Sequence, residues 1–187
     1  MKKYILPSIR ITVVLTIVLC VIYPLFIMLI GKLSKGAGDG EKIVVNGKVV
    51  GYANIGQSFT KPQYFWGRPS AVGYNAAGSA GSNKGPSNPD YLKDVHSRLD
   101  TLLKYHPYLK KNDIPAEMIT ASGSGLDPDI SPDAAKMQVK RVAQYRKLDE
   151  SKVAALVNSH VEAPLLGLFG PEKVNVLKLN IALDELK

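Results

Sequence analysis

The stretch Ile11 to Gly31, ITVVLTIVLCVIYPLFIMLIG, runs 21 residues without an Asp, Glu, Lys or Arg. At 1.5 Å rise per residue, a helix of this length matches a hydrocarbon core about 30 Å thick, so it is expected to span a membrane. The competing reading is a cleaved signal peptide, whose apolar region is usually about 7 to 15 residues and ends in an A-x-A pattern. Here the exit reads Gly31-Lys32-Leu33-Ser34-Lys35, which favours an uncleaved anchor. Thr12, Thr16 and Cys20 recur every four residues, with Pro24 four further on, and such a spacing predicts one helix face. Small, weakly polar residues there either admit a partner helix or bond their own preceding turn. Pro24 lacks a backbone donor and predicts a kink. Cys20 is the only cysteine, so no disulfide forms within the chain.

Working outward, Lys2, Lys3 and Arg10 precede the run, while Lys32 and Lys35 follow it, with Lys42 further on. The slight excess on the first side, with the α-amino group, places the N-terminus in the cytoplasm. The expected organisation is residues 1–10 as a cytoplasmic N-terminus, 11–31 as a transmembrane helix, 32–42 as a Gly-rich tether and 43–187 as an extracytoplasmic domain. Of the formal charge of +8 on 187 residues, +5 remains once Lys2, Lys3 and Arg10 are set aside. It is spread without a dense basic cluster, so the sequence offers no footing for nucleic acid.

Within 43–187, Ile43 to Ile55 reads IVVNGKVVGYANI, and Asn46-Gly47 between two β-branched runs predicts a hairpin with a type I′ turn. Gln57 to Pro89 has 33 residues crowded with Gly, Pro, Ser and Asn, too many for an idle loop. Phe59, Tyr64, Phe65, Trp66 and Tyr74 argue against disorder, since disordered chains are poor in aromatics. Helices are expected over Asp90–Tyr105 (Leu92, Val95, Leu99, Leu102, Leu103), after the Ser131-Pro132-Asp133 start, and after Asp149, where Val153, Leu156, Val157 and His160 share a face. Asn175 to Leu186 mixes a strand-like Val174/Val176 alternation with a helical stripe, and the helix is favoured. The fold class is α+β.

No Walker A, HExxH, CxxC or kinase signature occurs. Ser124 lacks the flanking glycines of a nucleophile elbow, since Ser122 and Leu126 stand there. Asp127 to Asp133 alternates oxygens as a calcium loop does, but Pro132 replaces the required glycine and Gln138 the bidentate glutamate. Helix capping by Ser131 and Asp133 is the better account. His96, His106 and His160 are scattered and read as surface or satisfied core residues. Arg68 and Arg98 are candidates for holding an anion or a partner's carboxylate, or for ion pairs inside the domain.

The irregular segments carry the most specific signal. Gln57-Ser58-Phe59, Tyr64-Phe65-Trp66-Gly67-Arg68-Pro69-Ser70-Ala71, Tyr74-Asn75 and Gly81-Ser82-Asn83-Lys84-Gly85-Pro86 resemble the C-subunit family of the Kdp potassium-transporting ATPase. So do Thr120-Ala121-Ser122-Gly123-Ser124-Gly125-Leu126-Asp127-Pro128, Ile130-Ser131-Pro132, Ala134-Ala135, Gln138 and Arg141-Val142-Ala143. Val174-Asn175-Val176-Leu177, Leu179-Asn180, Leu183-Asp184 and Tyr23-Pro24-Leu25 complete a resemblance that spans nearly the whole chain in order. One departure is Gly78-Ser79-Ala80-Gly81, where the family pattern has paired glycines.

The resemblance implies a single-pass subunit of a bacterial inner or plasma membrane, within an ATP-driven, high-affinity potassium importer. Its implied partners are a channel-like potassium-binding subunit, a P-type ATPase subunit and a small single-helix subunit, besides membrane lipid. The family's subunit is described as a catalytic chaperone that raises the ATP affinity of the hydrolysing subunit, so ATP enters only through that partner and no cofactor or metal is assigned to this chain. An extracytoplasmic domain cannot touch cytoplasmic ATP, so the expected role is non-catalytic and indirect. Thr12, Thr16, Cys20 and Pro24 in the anchor, and Gln57, Phe65, Arg68, Asn75, Asn83 and Asn175 in the domain, are the partner-contact candidates. The alternative is an anchored binding module or enzyme independent of a transporter.

Overall fold

A computed structural model describes residues 2–186; Met1 and Lys187, the outer ends of the first and last expected segments, lie outside them. The chain divides into two units, Met1–Lys42 and Ile43–Lys187. In the first, α1 (Lys2–Ile17) passes through a π turn, Val18–Ile22, into α2 (Tyr23–Gly31). The 29-residue helix Lys3–Gly31 is long and apolar enough to cross a membrane, about 44 Å at the usual rise, which spans a hydrocarbon core and reaches into its interfaces. The helix continues upstream through Arg10, which length arithmetic on the uncharged run alone did not foresee.

Thr12, Thr16, Cys20 and Pro24, the expected single face, are all exposed along the helix. The Tyr23 N–H donates to the Val18 carbonyl, five residues back, so the π turn holds an extra residue. The turn lies immediately before Pro24, whose ring and missing N–H disfavour the four-residue ladder.

The second unit opens on β1 (Lys42–Val45), whose first residue is the last of the first unit, and β1 pairs with β2 (Lys48–Tyr52) across Asn46-Gly47. Both turn residues have positive φ, 49° and 76°, as a type I′ turn requires. Helix α3 (Pro89–Tyr105) opens on Asn88, whose side chain accepts from the Tyr91 N–H, and buries Leu99 and Leu102. Leu92 of the expected stripe lies at the exposed start of the helix. Strand β3 (Asp129–Ile130) leads into α4 (Pro132–Arg146), capped by Ser131, and then α5 (Glu150–Ser159), capped by Asp149. Strands β4 (Val161–Glu162) and β5 (Lys173–Asn175) precede α6 (Val176–Glu185). The ambiguous C-terminal segment is thus a strand that turns into a helix at Asn175, whose side chain caps α6.

The second sheet is antiparallel in the order β3-β5-β4, with Ile130 opposite Val174 and Val174 opposite Val161. Its central Val174, with Leu99, Leu102, Ala134, Ala135, Val139, Val142, Val153, Val157, Leu179 and Leu183 of the helices, forms the core. Phe65, from the irregular segment, is part of that core with no exposed surface.

Candidate partner-binding site

Residues 62–64 form a turn in which the Tyr64 N–H donates to the Lys61 carbonyl at 3.2 Å, and Phe65 and Trp66 leave it outside any strand; the remaining polar groups of the segment are met largely by side chains. On α4, Gln138 and Arg141 are three residues apart and share the buried face of Ala134, Ala135 and Val142. The Gln138 amide accepts from the Trp66 N–H at 2.8 Å and donates to the Trp66 carbonyl at 3.1 Å. On α6, Asn180 accepts from the Phe65 N–H at 2.8 Å and donates to the Phe65 carbonyl at 3.0 Å. Each amide thereby pairs with a backbone residue as a neighbouring strand would.

Arg141 extends the row. Its guanidinium donates to the carbonyls of Tyr64 (3.0 Å) and Pro62, to Oε1 of Gln138 (2.6 Å) and to Nε2 of His106 (3.0 Å). It also lies 4.1 Å from the centre of the Trp66 ring, a cation–π contact. Burial pulls its pKa down to about 10, so it stays charged at neutral pH. Arg146 donates to the Gln63 carbonyl at 2.9 Å, pairs with Asp184 and lies over the Tyr64 ring.

His106 is the hinge between this row and α3. Because Nε2 accepts from Arg141, its proton sits on Nδ1, which donates to the Leu102 carbonyl at 2.8 Å. Burial lowers its pKa from 6.5 to about 4, with the Arg141 charge acting the same way and the Leu102 carbonyl opposing both. A folded-state pKa below the unfolded one means stability is complete above pH 6.5 and declines as pH falls toward 4. Thermal melts of the full chain from pH 7 to 4.5 are expected to show this loss, worth up to roughly 3 kcal/mol. His106→Gln is expected to lack that part of the decline; parallel curves for the two chains would contradict the assignment.

A second set of contacts lays residues 68–79 along 122–127. Arg68 pairs with Asp127 at 3.0 Å, Ser70 donates to the Gly125 carbonyl, Ser79 to that of Ser124, and the Ser122 N–H to that of Pro69. Tyr74 donates to the Arg68 carbonyl at 2.5 Å; burial, reinforced by Asp127, raises its pKa and keeps the phenol protonated. Gly125, at φ 69°, has no room for a Cβ, which would stand 2.5 Å from the Ala80 carbonyl oxygen. Gly125→Ala is expected to lower the melting temperature of the full chain by several degrees, through backbone strain and separation of the two runs.

Between residues 58–74 and α3 lies a cleft of about 430 Å³, walled by Phe59, Trp66, Tyr105 and Met118 and carrying Arg68 and Arg98. Arg98 donates to the Ile119 carbonyl at 3.1 Å, and Arg68 Nε is buried without a hydrogen-bond partner among the described residues. Two guanidinium groups at an aromatic wall suit a carboxylate carried on an apolar body.

The sequence candidates are distributed unevenly. Thr12, Thr16, Cys20 and Pro24 are exposed along the helix. Gln57 donates to the Val50 carbonyl, Asn75 is exposed and accepts from the Ala77 N–H, and Asn83 is exposed at φ 52°. Arg68 lines the cleft. Two candidates must be withdrawn from direct contact. Phe65 is enclosed by the core, and Asn175 is buried, capping α6 while donating to the Ala53 carbonyl. Ser124 accepts from the Leu126 N–H, and Asp127 and Asp129 are engaged by Arg68, Lys173 and Asn175, so their oxygens serve turns and ion pairs. Gln138, Arg141, His106 and Asn180 were not singled out as candidates; the legible signal was a polar residue placed on an otherwise apolar helical stripe.

The family described as K+-transporting ATPase, c chain, matches residues 5–185. The chain belongs to this family. It is 62% identical over 185 residues to the potassium-transporting ATPase KdpC subunit of Flavobacterium johnsoniae, covering 99% of this chain and 100% of that protein. The subunits of the same name from Bacteroides fragilis and Caldanaerobacter subterraneus are 57% and 46% identical, over 99% and 96% of this chain and 98% and 94% of theirs.

Proposed function

We propose that the chain is a non-catalytic accessory subunit of a potassium-transporting ATPase, fixed in the membrane by residues 11–31 with residues 43–187 outside the cytoplasm. The observation that carries this reading is the family match across residues 5–185. The use of polar groups supports it: Gln138, Arg141, His106 and Asn180 are bound to one another or to backbone and so shape a surface. The partners are a channel-like potassium-binding subunit, the P-type ATPase subunit that hydrolyses ATP, and a small single-helix subunit. Thr12, Thr16, Cys20 and Pro24 meet partner helices. Gln57, Arg68, Asn75 and Asn83 face an extracytoplasmic surface of the channel-like subunit, with the cleft taking a partner carboxylate.

Any influence on ATP affinity is then a coupling free energy between separated sites, of the order of 1–3 kcal/mol. Removing the chain from the purified complex should raise the ATP concentration for half-maximal hydrolysis roughly 5- to 150-fold. Unchanged ATP dependence would contradict the accessory role. Protease protection in sealed vesicles tests the topology: residues 43–187 should be cut from the outer side only. Photolabelling of this domain by an azido-ATP would overturn the indirect mechanism.

A further inference from the structure

Residues 163–171, Ala-Pro-Leu-Leu-Gly-Leu-Phe-Gly-Pro, contain no polar side chain. They leave β4 and return to β5 as a small hairpin of their own. The Leu165 N–H donates to the Phe169 carbonyl at 2.9 Å and the Phe169 N–H to the Leu165 carbonyl at 3.0 Å. These bonds close the tip, yet it buries almost nothing. Leu165, Leu166, Leu168 and Phe169 are 70, 81, 81 and 63% exposed. An exposed cluster of four large apolar side chains marks a contact surface.

The turn residues sharpen this. Leu166 and Gly167 both have positive φ, 57° and 72°. The two-residue turn between β1 and β2 fills its positive-φ positions with Asn46 and Gly47, the unstrained choice, whereas the three-residue loop Leu166 to Leu168 sets a leucine in one. A leucine in the left-handed region costs about 1–2 kcal/mol, and this one gains no burial in return within the domain. Its use is therefore external. Because all four side chains are exposed, on both arms and at the apex, a flat protein face would cover only part of them. A medium that surrounds the tip covers all.

The base of the hairpin is charged. Glu162 and Lys173 face each other in register, Lys173 lies 2.7 Å from Asp129, and Lys178 lies 3.2 Å from Glu162. An apolar apex over a charged collar matches the passage from acyl chains to headgroups. The chain brings its own bilayer: 11 residues, 32–42, separate the spanning run from the domain. We propose that the Leu165–Phe169 tip inserts into the lipid interface, giving the domain a second attachment to the membrane. The inference needs only the membrane anchor and stands apart from the transporter assignment.

The test places a reporter in the full-length chain. Leu168→Trp changes an exposed side chain, and wild type supplies the Trp66 background. The protein is reconstituted alone in phosphatidylcholine–phosphatidylglycerol vesicles. The added emission is expected to be blue-shifted, protected from iodide, and reduced about twofold by lipids brominated high on the acyl chain, as for a group seated roughly 5–10 Å deep. Emission open to iodide and indifferent to brominated lipid would overturn the proposal. Shielding that appears only when the other subunits are co-reconstituted, without quenching by brominated lipid, would overturn it in favour of a protein pocket.

Discussion

Replacing Arg141 with leucine is expected to unfold the domain or leave residues 62–66 detached from it. Leucine fills much of the volume, but the groups it strands cannot be removed with it: the carbonyls of Pro62 and Tyr64 and Nε2 of His106 lose a donor together, while Oε1 of Gln138 keeps only the Trp66 N–H. Each unsatisfied buried group costs about 1–3 kcal/mol, so the three together cost about 3–9 kcal/mol, comparable to the roughly 5–15 kcal/mol that holds an ordinary domain folded. Arg141→Lys keeps a charge but loses the planar fork and the stacking on Trp66, so it should fall between leucine and wild type. Urea titration followed by emission is a direct readout, because Trp66 is the only tryptophan and lies against Arg141, His106 and Tyr105. A leucine variant within about 1 kcal/mol of wild type would refute this account of the row.

Asn180→Leu is expected to have the second largest effect, and Gln138→Leu a similar one. Each strips both backbone groups of a single residue, Phe65 or Trp66, at about 1–3 kcal/mol per group. Asn180→Asp separates shape from bonding: it preserves the acceptor for the Phe65 N–H but points a second oxygen at the Phe65 carbonyl and buries a carboxylate. Hydrogen exchange should show the amides of Phe65 and Trp66 losing protection before those of α4 and α6. The double variant should be destabilised by less than the two single losses combined, since both act on one segment. Full protection at Phe65 in Asn180→Leu would mean that packing of the ring alone holds the segment.

Much of this architecture is legible in the sequence where a local rule decides. The Asn46-Gly47 turn, the caps at Ser131 and Asp149, and the membrane-length run all depend on residues a few positions apart. The irregular segment is recognisable as ordered from its aromatics, but its partners are not, because Phe65 meets Asn180 and Trp66 meets Gln138 across 115 and 72 residues. Phe65 was expected at a partner surface for the same reason: composition shows that an aromatic is used, without showing where it points. The π turn before Pro24 was not legible, because four-residue spacing assumes an unbroken α ladder. Arg141 is the instructive omission. A charged residue between Val139 and Val142 on a buried stripe reads as a surface residue until its acceptors, all backbone or neutral, are in view.

This chain works as one subunit of a larger transport ATPase. Extraction of an affinity-tagged chain in mild detergent, followed by mass spectrometry of what accompanies it, tests that claim most directly. The account predicts stoichiometric recovery of an ATP-hydrolysing P-type subunit and a channel-like potassium-binding subunit, with potassium-stimulated ATP hydrolysis in the recovered complex. Recovery of the intact chain alone, or with an enzymatic activity of its own, would contradict it.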